Sequence, residues 1–134
     1  MIRSVLAVLA GLVVLIVASF GIELVVNPLL MRAFPHALPN VEALRSNHWT
    51  RAFTWGYGQL CVAAGGYVAG RIARRFPVRH ALVLGLIQAG LTVLAMFSPE
   101  ANHASRGEWI AIAVASVVAA VVGGFVCERT SRAL

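Results

Sequence analysis

A chain of 134 residues that is 60% hydrophobic and 12% charged, with a mean hydropathy of +0.84, is not an ordinary soluble domain, a disordered segment or a disulfide-rich secreted module. Its eleven basic residues are all Arg and its five acidic residues all Glu. A formal charge of +6 would point a soluble protein toward nucleic acid. Here the arginines gather at the ends of apolar runs, so a lipid bilayer, and no nucleic acid, is the expected partner.

Four apolar stretches fill the chain, at about residues 5–31, 52–72, 80–97 and 109–127. Each is long enough, at roughly 17–25 residues, to cross a hydrocarbon core of about 30 Å as a helix. In lipid such a stretch must be helical, because each backbone N–H and C=O needs an internal partner. The first is interrupted only by Glu23 and Asn27. Arg3 followed by an apolar run resembles a signal peptide. The run outlasts an h-region of about 7–15 residues and ends at no small-x-small cleavage site, so it is expected to stay as a first span. The connection from Arg32 to Thr50 carries Pro35 and Pro39. Within it Asn40 predicts a cap for a short helix over residues 41–45, with Val41 and Leu44 facing the membrane or the bundle. The second and third spans are joined by a link holding Arg71, Arg74, Arg75 and Arg79 and no acid. An excess of arginine marks the cytoplasmic side. Arg3, Arg129 and Arg132 fall on that side too, opposed only by Glu128. The outer side balances Arg32, Arg45, Arg51 and Arg106 against Glu23, Glu42, Glu100 and Glu108. Trp49, Trp55 and Trp109 fall at outer helix ends, where an aromatic belt is expected.

The resulting expectation is all-α: one polytopic transmembrane four-helix bundle over residues 1–134, made of two helical hairpins with both ends cytoplasmic. The end of the second span, Gly65-Gly66-Tyr67-Val68-Ala69-Gly70-Arg71, matches the end of the fourth, Gly123-Gly124-Phe125-Val126-Cys127-Glu128-Arg129. Either the hairpins are a parallel repeat, or Gly-Gly-aromatic before Arg is a common way to end an apolar helix. The glycines also belong to stripes of small residues at helical spacing. Cys61, Gly65, Ala69 and Ala73 form one, and Gly58, Gly66 and Gly70 lie beside it. On the fourth span Ala111, Ala115, Ala119, Gly123 and Cys127 run beside Ser116, Ala120 and Gly124. Small faces let helix backbones approach closely in lipid. Two such faces per helix leave open whether all pack internally or one meets another protein.

The run Gly65 to Arg75, then Pro77, His80-Ala81 and a fourth helix closing on Gly-Gly-Phe, resembles a group of uncharacterised small four-helix bacterial integral membrane proteins. The likeness covers residues 56–127 and, more loosely, the first helix with Glu23. It implies a bacterial inner membrane and carries over no activity.

Three polar residues within the spans are candidates for a role. Glu23 follows Arg3 by about 30 Å of helix, near the outer interface. It is placed to pair with Arg51 or Arg32, to meet headgroup water, or to bind a proton or cation. Gln59 and Gln88 differ in depth by about 5 Å and are spaced for a hydrogen bond between the second and third spans. Cys61 and Cys127 differ by about 12 Å, beyond the ~7 Å that a disulfide bridges. His36, His48, His80 and His103 show no metal-ligand spacing. No catalytic set, cofactor motif or metal motif is apparent. The Arg71–Arg79 cluster sets topology and attracts anionic headgroups, at roughly 1 kcal/mol per residue near the surface.

The expected function is therefore non-enzymatic: a structural or accessory subunit packing against other transmembrane helices or against copies of itself. The alternative is a small transporter or channel using Glu23. Glu23 is similar in place to the first-helix glutamate of four-helix multidrug transporters, but it lies too far out and lacks an evident aromatic-lined cavity.

Overall fold

The computed structural model describes residues 2–133; the side chains of Ile2 and of Glu100, counted above with the outer acids, lie outside the described residues. Five helices follow in order: α1 (Ile2–Ala33), α2 (Val41–Ser46), α3 (His48–Ala73), α4 (Pro77–Ala95) and α5 (Arg106–Ala133), with a 3-10 turn over Pro99–His103. The described residues contain no strand. α1, α4 and α5 are long and apolar enough to cross a membrane. α3 is long enough at 26 residues, but Tyr57, Gln59, Tyr67 and its glycines make it less apolar. The surface suits lipid: Leu24 is 77% exposed, Leu60 72% and Phe97 72%. Side chains of this size face outward along the long helices, a surface that water would penalise.

The short helix forms as its residues predict. Asn40 takes an extended conformation and its Oδ1 accepts from the Ala43 N–H at 2.8 Å. Asn47 then ends α2 and caps α3, accepting from the Trp49 N–H at 3.2 Å. Leu44 is buried, while Val41 is exposed. The turn from α3 to α4 is tight. Arg74 and Phe76 both take positive φ, 57° and 52°, and Pro77 opens α4, where its missing N–H costs nothing. The third apolar stretch runs to Phe97, but α4 stops at Ala95, ahead of the turn into Pro99.

α3 is the central helix. It packs against α1, α4 and α5; α5 also seats on α4, and α1 touches α4 only lightly. The Arg3 Nε donates to the Ile72 carbonyl at 3.2 Å, so α1 begins where α3 ends and the two run antiparallel. Trp55 and Trp109 meet with ring centroids 6.5 Å apart, which puts the starts of α3 and α5 at the same end.

The small faces close on one another within the chain. A Cβ added at Gly65 would stand 2.7 Å from the Gly11 carbonyl oxygen of α1. One at Gly66 would stand 3.0 Å from Ala120 Cα of α5, and one at Gly123 would stand 2.9 Å from the Tyr67 nitrogen of α3. Gly124 faces α4 at Ala81 and Val78, and Gly70 faces Pro77 and Cys127. Ala69 and Ala120 sit in the core with Leu15, Val62 and Leu84, and Ala119 packs against it. Cys61 and Cys127 are buried free thiols.

Two details correct the sequence pattern. Gly58 shares the helical spacing of Gly66 and Gly70, yet a Cβ there would meet nothing within 4 Å. Ala111 is likewise exposed and Ala115 only half-buried. α3 and α5 thus pack backbone to backbone in their arginine-end halves and part toward the tryptophan end, where Trp55, Tyr57 and Trp109 are too bulky for that approach. The matched glycines also have different neighbours. In α3 the first of the pair, Gly65, meets its own hairpin partner, α1; in α5 the second, Gly124, meets its hairpin partner, α4. A parallel two-fold repeat would give aligned glycines equivalent surroundings.

Candidate functional site

Where α3 and α5 part, the connections at the tryptophan end fold over the gap. Thr50, fully buried, donates its hydroxyl to the Leu44 carbonyl at 2.5 Å and also lies 3.0 Å from the Asn47 carbonyl. This fixes α2 across the end of α3. The next residue, Arg51, reaches the opposite loop. It donates to the His103 carbonyl at 2.6 Å and to Glu108 Oε1 at 3.1 Å, and lies 3.2 Å from His48 Nδ1. Its guanidinium also stands 5.5 Å from the Trp55 ring centroid.

Glu108 is oriented before Arg51 meets it. The Ser105 N–H donates to Glu108 Oε2 at 2.7 Å, and the Glu108 N–H donates to Ser105 Oγ at 3.2 Å, a reciprocal box that starts α5. The Ser105 N–H, with help from the Ser105 hydroxyl and Arg51, holds this carboxyl below its ordinary range. Glu108 precedes the apolar run that opens at Trp109. Trp109 in turn donates its Nε1–H to the Ala101 carbonyl at 3.3 Å.

Beneath this lattice lies a cleft of about 190 Å³. α1 supplies Glu23 and Asn27, α2 supplies Leu44 and Arg45, α3 supplies Arg51, Thr54 and Trp55, and His103 and Trp109 close the far side. Glu23 is half-buried, at the end of the bundle far from Arg3 and beside Trp55 and Trp109. It is not paired with Arg51, whose acidic partner is Glu108. Glu108 stands in the first turn of α5, directly after the turn that also offers Arg51 the His103 carbonyl. The hydroxyl of Tyr57 is buried without a hydrogen-bond partner. The cleft thus combines the Glu23 carboxylate, the Asn27 amide, the Thr54 hydroxyl and two indole walls with the guanidinium groups of Arg45 and Arg51, a set suited to a small polar group. Among the described residues no three of His, Cys, Asp and Glu gather to hold a metal ion.

The paired glutamines do not meet. No hydrogen bond joins Gln59 to Gln88 among the described residues; Gln59 Oε1 is buried and unpartnered. Gln59 lines a groove against Ala111, Ile112 and Ala115 of α5. Similar depth was not enough, because the side chain leaves α3 toward α5 rather than α4.

At the opposite end stand Arg71, Arg74, Arg75 and Arg79. Arg79 lies over the Phe76 ring at 4.6 Å, and Arg132 pairs with Glu128 one turn back along α5.

One local signal in the sequence marks this site. Ser105-x-x-Glu108 is the spacing of a capping box, and it identifies Glu108 as a fixed acid. Thr50, two residues after the start of α3, has no such mark; its role depends on where α2 lies.

The chain matches no known protein family, and neither the curated proteins nor the solved structures include a significant match to it.

Proposed function

We propose that the chain is a four-span bundle in the bacterial inner membrane, with the arginine end and both chain ends cytoplasmic. The segregation of Arg3, Arg71, Arg74, Arg75, Arg79, Arg129 and Arg132 from Trp49, Trp55 and Trp109 supports this orientation. α3 counts as the fourth span on this reading. It packs along α1, α4 and α5, and a helix enclosed by protein needs less apolar surface than one facing lipid. That accounts for the residues that lower its hydropathy. The likeness of residues 56–127 to small bacterial four-helix membrane proteins belongs to the same proposal.

Within the membrane we assign the protein a non-enzymatic structural or accessory role, bound to other transmembrane helices or to its own copies. One observation carries this reading: α3 and α5 meet backbone to backbone at Gly66 and Gly123, so the bundle is solid where a conduit would run. A protein with a solid centre acts through its surfaces. The small-residue stripes are largely occupied internally, so the surface left for a partner is the aliphatic flank, above all α1, where Val17 and Leu24 point outward. The second reading, a small transporter, draws its support from Glu23 in the outer cleft.

The test is the native mass of the protein extracted gently from its own membrane, with identification of its companions. A stoichiometric assembly is expected. A lone monomer that conducts ion-coupled flux in liposomes, with flux lost in Glu23→Gln, would replace the accessory reading with the transport one.

A further inference from the structure

A second cleft, of about 600 Å³, opens at the arginine end between the last turns of α3 and α5 and the first turn of α4. Its floor is Gly70, Pro77 and Cys127. The three helices converge there: a Cβ at Gly70 would stand 2.9 Å from Pro77 Cβ and 3.3 Å from Cys127 Sγ. Its rim is Arg71, Arg74, Ser131 and the Glu128–Arg132 pair. The rim carries three guanidinium groups against one carboxylate. That carboxylate already holds Arg132, while neither Arg71 nor Arg74 has an acidic partner among the described residues.

The cluster is not uniform. Arg75 and Arg79 belong to the same link but do not line the cleft, and Arg79 is stacked on Phe76. Arg74 is brought to the rim by the tight turn between α3 and α4, where it takes a positive φ of 57°.

We propose that this cleft binds the phosphate of one anionic phospholipid headgroup. Arg71 and Arg74 are its principal donors, since the planar guanidinium fork matches phosphate geometry. The Ser131 hydroxyl is a further donor. Basic pockets between helix ends at the cytoplasmic face suit such headgroups, and the apolar floor places the site at the hydrocarbon boundary rather than in open water. A soluble phosphate would gain nothing from that floor. Glu128 opposes binding, both by its charge and by withholding Arg132. The proposal rests on the membrane-spanning reading and not on the accessory role.

The test reconstitutes the full chain in nanodiscs of phosphatidylcholine with a minor fraction of phosphatidylglycerol, and counts lipids retained by native mass spectrometry after partial delipidation. One retained phosphatidylglycerol is expected. Retention should weaken about fivefold for each of Arg71→Gln and Arg74→Gln. Ser131→Glu should weaken it while leaving every arginine in place, and Glu128→Gln should strengthen it. The charge-matched control Arg75→Gln with Arg79→Gln should leave it unchanged. Equal loss in the control and in the Arg71/Arg74 double variant would mean diffuse surface charge and overturn the site. Inorganic phosphate stabilising the protein in pure phosphatidylcholine discs as well as the lipid does would overturn the lipid assignment. If the double variant fails to insert, the opposite shifts at Ser131 and Glu128 decide; no shift at either overturns the proposal. A wild-type chain that never enters the disc defeats the membrane reading itself, whereas a well-incorporated chain without retained lipid defeats the headgroup site alone.

Discussion

Gly66 of α3 lies against the backbone of Ala120 on α5, so closely that a Cβ on Gly66 would stand 3.0 Å from both Ala120 Cα and its carbonyl carbon. Gly123 makes the converse contact with Ala63 and Tyr67. Neither obstacle is a flexible side chain, so the helices must separate to admit a methyl group. Gly66→Ala is expected to cost about 1–3 kcal/mol, the range for overpacking, and Gly66→Leu to prevent the bundle from closing. Gly58→Ala and Gly90→Ala meet open space and should be neutral or stabilising by up to ~1 kcal/mol, since alanine is the better helix former. Unfolding in mixed micelles, followed by circular dichroism, measures the difference. Equal stabilities for Gly66→Ala and Gly58→Ala would mean that α3 and α5 do not meet.

The lattice at the tryptophan end should fail locally rather than globally. Arg51 is only 12% exposed and joins α3 to His103 of the connection before α5 and to Glu108 in the first turn of α5. Arg51→Gln shortens that reach. Hydrogen exchange at residues 98–108 should accelerate, with exchange at residues 60–70 unchanged. Acceleration in both regions would show that the lattice supports the whole bundle.

The same loop should respond to acid. The Glu108 carboxyl is depressed from its ordinary value of 4.5, mainly by the Ser105 N–H. A depressed acid contributes stability above the unfolded value and loses it as pH falls through the folded one. Loop protection is therefore expected to hold above pH 4.5 and to drop below it. Glu108→Gln should remove that dependence. A pH response surviving in Glu108→Gln would assign it to another group.

Much of the helix order was legible because its signals are local. Apolar run length, Asn40 ahead of residues 41–45 and arginines beside span ends each act within a few residues. What was not legible depends on direction. Gly58 and Gly66 share a stripe, but only Gly66 lies where α5 is near enough to exclude a side chain. Gln59 and Gln88 share a depth, but Gln59 leaves its helix toward α5. Glu23 was spaced to pair with Arg51 or Arg32, but the fold gives Arg51 to Glu108 and adds the His103 carbonyl. Depth and spacing fix one coordinate of a helical residue. The rotation of the helix fixes the other, and no single span records the rotation of its neighbours.

Thr50 is a compact test of how α2 is held. It is buried, and its hydroxyl donates to the Leu44 carbonyl at 2.5 Å. Thr50→Val keeps the shape and removes the donor, leaving a buried carbonyl unpaired at a cost of about 1–3 kcal/mol. Thr50→Ser should retain most of the wild-type protection at residues 41–46. Exchange there that is unaltered in Thr50→Val would show that packing of Leu44 alone holds α2.

Glu23 separates the two functional readings because the fold does not use its charge. Among the described residues it makes no hydrogen bond or ion pair, and it lines the cleft at the tryptophan end beside Asn27, Thr54 and Trp55. A carboxylate with no partner contributes no pairing energy to lose, so Glu23→Gln should leave micellar unfolding unchanged within about 0.5 kcal/mol. Any effect on activity then reads the cleft itself. Liposomes carrying the wild-type chain and Glu23→Gln, assayed for proton-coupled uptake of small organic cations, should show no difference if the protein acts through its surfaces. Uptake present in the wild type and absent in Glu23→Gln, at equal stability, would assign the carboxylate a transport role and require the contact of α3 with α5 at Gly66 to open during the cycle.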